Sequence, residues 1–179
     1  KKEITMKINK ILLGAMLILI SLSTFIIGAE ALLLTDLGTS ARMIGLGNIE
    51  GFDEGSNSIF ENPAGLYRIK NISAGAFTTK LMHEVVYRNI TLGMKTDWGT
   101  FAAGYMSADV SDIPHTYRRS DNRFDVSYYF RYETLLGKLG YQTSINENIH
   151  LGLAADYYAT NLDTYSGRGW NMDGGVIVD

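Results

Sequence analysis

Ile149 to Thr160, IHLGLAADYYAT, alternates along its whole length. Ile149, Leu151, Leu153, Ala155, Tyr157 and Ala159 fall on one side, and His150, Gly152, Ala154, Asp156, Tyr158 and Thr160 on the other. A period of two is the mark of a strand whose faces meet different surroundings. The same pattern recurs on either side of it. Ile90, Leu92 and Met94 oppose Asn89, Thr91, Gly93 and Lys95, while Phe101, Ala103 and Tyr105 oppose Ala102, Gly104 and Met106. Leu135, Leu139 and Tyr141 oppose Lys138, Gly140 and Gln142; Trp170, Met172, Val176 and Val178 oppose Asn171 and Asp173. A weaker run covers Ile72 to Thr79. No helical period of useful length follows Leu66, so the expected class is all-β.

The runs are about ten residues long, the length a tilted strand needs to cross a bilayer core. Asp97-Trp98-Gly99 and Asn146-Glu147-Asn148 separate neighbouring runs tightly, whereas Val110 to Arg123 and Asn161 to Gly169 are long and polar. Short turns at one end and long loops at the other are the habit of outer-membrane β-barrels. Trp98, Trp170, Tyr157 and Tyr158 are expected at strand ends, where interfacial aromatics gather. A soluble sandwich would alternate too. It is disfavoured because the apolar face carries small residues and single aromatics, and the opposite face is polar and rich in glycine. Arginine at Leu151 or Leu153 is then expected to block insertion, and arginine at Gly152 or Ala154 to be tolerated better. The expected architecture is a transmembrane antiparallel barrel, with Asn89, Lys95, Lys138, Gln142, His150, Asp156 and Asp173 facing its lumen. With about six strands against a minimum of eight for single-chain barrels, these residues read as the amino-terminal part of one.

Upstream, Lys7 and Lys10 precede an apolar run from Ile11 to Ile27, followed by Gly28-Ala29-Glu30-Ala31. A basic start, a hydrophobic run and a small-residue exit make a signal peptide cleaved after Ala29 or Ala31. The sequence divides accordingly into 1–31 (upstream residues and signal), 32–71 (a plug segment) and 72–179 (an incomplete barrel). Within the middle part, Asn62-Pro63-Ala64-Gly65-Leu66 reads as a stop followed by one helical turn. Proline disfavours helix at the residue before it and suits the first helical position, with Asn62 as cap.

Leu37 to Leu66, LGTSARMIGLGNIEGFDEGSNSIFENPAGL, resembles the amino-terminal region of the PorV/PorQ branch of FadL-related outer-membrane barrels. Thr39 to Gly47 stands for the Gly-rich first half of the branch's pattern, and Ser56 to Leu66 for the second. A further similar stretch runs from Gly137 to Gly174, with Leu162-Asp163 and Asp173-Gly174 at the recurring turn and strand. Gly51-Phe52-Asp53-Glu54-Gly55 departs from the branch, replacing an apolar stretch and paired aspartates. The resemblance implies that Asn62 to Leu66 fold inward as a plug. It also implies two possible roles: passive transport of hydrophobic or small molecules, or an accessory of type IX-like secretion that binds exported protein cargo.

The remaining chemistry is sparse. The chain has no cysteine and a formal net charge of -3, which removes thiolate chemistry and offers no basic face for nucleic acid. His83, His115 and His150 lack partners at metal or catalytic spacing. Gly45-Leu46-Gly47 lacks the third glycine of a dinucleotide fingerprint, and no Gly-x-Ser-x-Gly elbow occurs. No enzyme activity and no cofactor are expected; the expected partners are outer-membrane lipid and the molecule carried or bound.

Overall fold

A computed structural model describes residues 34–49 and 53–179. The signal-peptide segment, with Gly51 and Phe52, lies outside the described residues. The rest is all-β: six antiparallel strands in one sheet, in the order of the sequence. They are β1 (Ile72–Leu81), β2 (Val85–Thr96), β3 (Gly99–Arg118), β4 (Phe124–Ser144), β5 (Ile149–Leu162) and β6 (Tyr165–Val178). Among the described residues β1 and β6 do not pair with each other, so the six strands form an open sheet that is not closed into a barrel.

Before the sheet come short helical pieces: a 3-10 turn at Leu34–Leu37, the helix α1 (Ala41–Gly45), and 3-10 turns at Gly55–Phe60 and Pro63–Arg68. The Ser40 hydroxyl caps α1 by accepting from the Met43 amide. Asn62 is extended, and its side chain accepts from the Ala64 amide at 3.0 Å, while Pro63 opens the turn. A missing amide costs nothing at that position, which is why proline begins the turn so readily. This segment lies across one face of the sheet, and its Ile59, Phe60, Leu66 and Ile69 form the core together with Tyr87, Met106 and Leu136.

The two faces of the sheet are therefore unlike. On the covered face Asn89, Thr91, Lys138, Gln142, His150 and Asp156 are buried. On the open face Ile90, Leu92, Leu139, Leu153, Trp170, Met172 and Val176 are all exposed, from 51% for Leu153 to 78% for Trp170. A water-soluble sheet does the reverse, hiding apolar side chains and wetting polar ones.

Two expectations about the connections are overturned. Val110 to Arg123 is not a long loop, because β3 runs to Arg118 and β4 starts at Phe124. Asn161 to Gly169 is not one either; β5 ends at Leu162 and β6 begins at Tyr165. The alternation was masked by two bulges, between Val110 and Ile113 and between His115 and Thr116, each of which adds a residue and breaks the period. Asp112 sits in the first bulge with φ 58°. Both ends of the sheet thus turn tightly, and they differ in strand length instead. Gly99 closes the β2–β3 turn with φ 139°, a conformation only glycine takes easily, and a Cβ there would collide with the Gln142 carbonyl.

Candidate functional site: the plug and its seat

The covered face is shaped to hold the amino-terminal segment. Each of the six strands places one glycine under it: Gly75, Gly93, Gly104, Gly140, Gly152 and Gly175. A Cβ on Gly93 would come within 2.6 Å of Ile69, and one on Gly140 within 3.0 Å of Ile59. At Gly152 it would run into the Pro63–Ala64 backbone, and at Gly175 into the Asn62 side chain. Asn62 to Leu66 consequently lies against β4, β5 and β6, with Pro63, Ala64, Gly65 and Leu66 buried. Neither Gly152 nor Ala154, where arginine was expected to be better tolerated, opens onto free space: Ala154 is buried and a Cβ on Gly152 would meet the Pro63–Ala64 backbone.

Polar contacts pin the rest of the segment. The Tyr87 hydroxyl donates to the Gly38 carbonyl at 2.8 Å, and the Asn89 amide donates to the Thr39 carbonyl. Thr39 donates to Asp53, which also accepts from the Glu54 amide, so the carboxylate in the stretch that departs from the branch pattern clasps two parts of the segment together. Arg42 and Glu54 form an exposed ion pair at 3.3 Å. Lower down, Ser56 and Thr91 hydroxyls lie 2.9 Å apart, and Thr91 donates to Asn57 at 2.6 Å. Buried polar groups need such partners, because an unmet one costs about 1–3 kcal/mol.

Of the residues expected to face a lumen, Lys138, Asp156 and Asp173 come together. The Lys138 ammonium lies 3.4 Å from Asp156 and in closer contact with Asp173, bridging two carboxylates on adjacent strands. Tyr158 donates to Asp156 at 3.3 Å and Asn171 to Asp173 at 2.9 Å. Gln142 and His150 form a second group through Ser144, whose hydroxyl accepts from Gln142 at 3.0 Å and meets His150 Nδ1 at 2.7 Å. Tyr67, just past the plug motif, stacks on the His150 ring at 3.7 Å. Asn89 stands apart from both groups, under Thr39. Lys95 is the exception: it shares the face by alternation but is exposed, because the plug leaves the sheet beside it through the Asn71 carbonyl, which accepts the Lys95 amide at 2.8 Å.

Tyr87, Thr91, Thr39 and Asp53 escaped the sequence analysis, since hydroxyls and one aspartate carry no spacing signal. The glycines were visible as one per alternating strand, but their purpose needed the segment they accommodate. Trp170, Tyr157 and Tyr158 also move. They lie inside their strands and not at the ends, with the Tyr157 and Trp170 rings packed at 4.7 Å on the open face. Trp98 sits in the β2–β3 turn, and the Tyr141 hydroxyl donates to its carbonyl at 2.7 Å.

No group of three or more metal-binding side chains occurs among the described residues, and no helix among them is long and apolar enough to cross a membrane. No family model, curated protein or solved structure matches the chain.

Proposed function

We propose that these residues belong to a plugged outer-membrane β-barrel of the PorV/FadL type that passes hydrophobic or small molecules across the membrane. The carrying observation is the reversed polarity of the sheet. An apolar face left exposed, opposite a polar face sealed by the chain's own amino-terminal segment, suits lipid outside and a filled lumen inside. An open sheet edge is costly in lipid, so the reading requires further strands between β6 and β1, whether from more of this chain or from another.

Passage of an apolar molecule is supported at the top of the sheet. Beyond β2 and β5 the β3–β4 pair continues as a two-stranded ribbon, rising about 30 Å at roughly 3.3 Å per residue. At its base Val110 pairs with Tyr132, still beside β5, and above it Ile113 pairs with Phe130 and His115 with Tyr128. These side chains continue the side that is polar lower down, and offer an apolar approach above a polar, plugged interior. The test is uptake by vesicles carrying the full-length protein. Phe130→Ser with Tyr132→Ser should slow entry of a long-chain apolar solute several-fold and leave leakage of a small polar solute unchanged. Uptake that does not change would turn the assignment toward the second reading, a secretion accessory, for which the ribbon would be a contact surface for exported protein.

A further inference from the structure

On the open face the apolar band gives way to charge toward its upper end. Reading across the sheet, Ile90, Tyr105, Gly137, Tyr157 and Trp170 make its last full row, above which Leu135 and Ala159 continue it on β4 and β5 alone. One side-chain step higher stand Arg88 on β2 and Arg168 on β6, and a step above them Lys80, Asp109 and Glu133. Arg131 completes the group from β4. Four cations and two carboxylates therefore border the band on the side where lipid is expected.

Two of the cations are built into a fork. Asp109 lies between Arg88 and Arg131, accepting a hydrogen bond from Arg88 through one oxygen and ion-paired with Arg131, at 3.1 Å, through the other. Its side chain is only 5% exposed, while those of Arg88 and Arg131 are 46% and 51% exposed. Arg131 also reaches Glu133 at 3.7 Å. The buried carboxylate thus holds two half-exposed guanidiniums near one another. Each guanidinium has five N–H donors, of which Asp109 and Glu133 engage only part. Paired guanidiniums match the oxygens of a phosphate group, and a water-poor boundary strengthens the contact.

We propose that Arg88 and Arg131, positioned by Asp109, bind the phosphate of an anionic lipid headgroup at the upper edge of the apolar band. The site rests on the outer-membrane assignment and names a lipid that the barrel would hold there. Charge complementarity and continuity with the band select a lipid over a soluble anion, because a headgroup phosphate sits just above acyl chains and the fork sits above Ile90 and Tyr105 on the same strands.

The experiment uses the full-length protein folded into phosphatidylcholine vesicles with or without a minor fraction of phosphatidic acid. After gentle detergent extraction, retained phosphatidic acid is measured by native mass spectrometry, and inorganic phosphate is added as a competitor in a separate arm. Arg88→Gln with Arg131→Gln should reduce retention about tenfold, the effect of about 1.4 kcal/mol. Arg88→Lys with Arg131→Lys, which keeps the charge, should lose several-fold. Asp109→Asn is the decisive variant: it makes the surface more positive, so unspecific attraction predicts a gain, whereas a positioned fork predicts a loss. A gain with Asp109→Asn, full retention by the glutamine pair, or complete displacement by inorganic phosphate would each overturn the site. Protein that inserts into pure phosphatidylcholine but retains no phosphatidic acid refutes only this inference; protein that fails to insert at all refutes the outer-membrane assignment and the site with it.

Discussion

β3 and β4 pass through two regions of opposite character. In the lower sheet the even positions of β4, Lys138, Gly140 and Gln142, lie under the plug, and Leu135, Leu139 and Tyr141 look the other way. In the ribbon the even positions are Tyr132, Phe130 and Tyr128, while Glu133, Arg131 and Tyr129 take the odd side. Apolar and polar sides exchange along one continuous strand within a few residues of Glu133. A strand's pleat is indifferent to what surrounds it, so a switch of this kind marks a change in what each side packs against. Below the switch, the covered side packs on the amino-terminal segment and the open side is bare. Above it, that segment no longer covers either side, and the apolar residues continue the covered side of the sheet.

The largest effect should come from the covered face of the lower region. Lys138→Met leaves Asp156 and Asp173 adjacent without their shared cation, and losing one partner of a buried ion pair costs about 3–5 kcal/mol. Urea titration of the full-length protein in lipid should register the loss, and Asp156→Asn in the same chain should recover part of it. A loss below about 1 kcal/mol would mean that water reaches this face and screens the cluster.

Next in size is the open face. Leu139→Arg lies in the middle row of the apolar band and should cost about 2–4 kcal/mol in a bilayer. Gly169→Arg is the control, on the opposite side of β6 where an added Cβ would meet nothing within 4 Å, and it should cost less than about 0.5 kcal/mol. Equal penalties in lipid refolding would show that the two sides are not in different media, and the comparison would fail.

The smallest effect belongs to the ribbon. The Tyr128 hydroxyl donates to Asp163 in the β5–β6 turn at 2.7 Å, and that hydrogen bond to a carboxylate raises the phenol above its ordinary value. A raised phenol keeps its proton longer, so the tether is complete below about pH 10 and is lost only as pH climbs through the raised value. Tyr128→Phe should leave overall stability unchanged while speeding hydrogen exchange at the Asp163–Thr164 turn. If exchange there is unaltered, the ribbon is not tied to its neighbour through this contact.

The all-β class, the six alternating segments and the faces of β2 to β6 within the quoted runs were legible in the sequence, because a period of two follows from strand geometry alone. Ile149 to Thr160 carries its two faces without help from any neighbour. The Asn62-Pro63 turn was equally legible, since proline and its preceding residue restrict the backbone locally. The ribbon was not. Bulges at Asp112 and near Ser127 break the period, and they exist only because β3 and β4 are paired across many residues. Nor could sequence reveal why every strand carries a covered glycine, because that depends on the segment from Ser56 to Ile69 crossing all six strands. The Lys138–Asp156–Asp173 cluster and the Arg88–Asp109–Arg131 fork likewise join residues that are distant in sequence and adjacent in register. Local stereochemistry determined which side each residue occupies; the pairing of strands and the docking of the plug decided which of them meet.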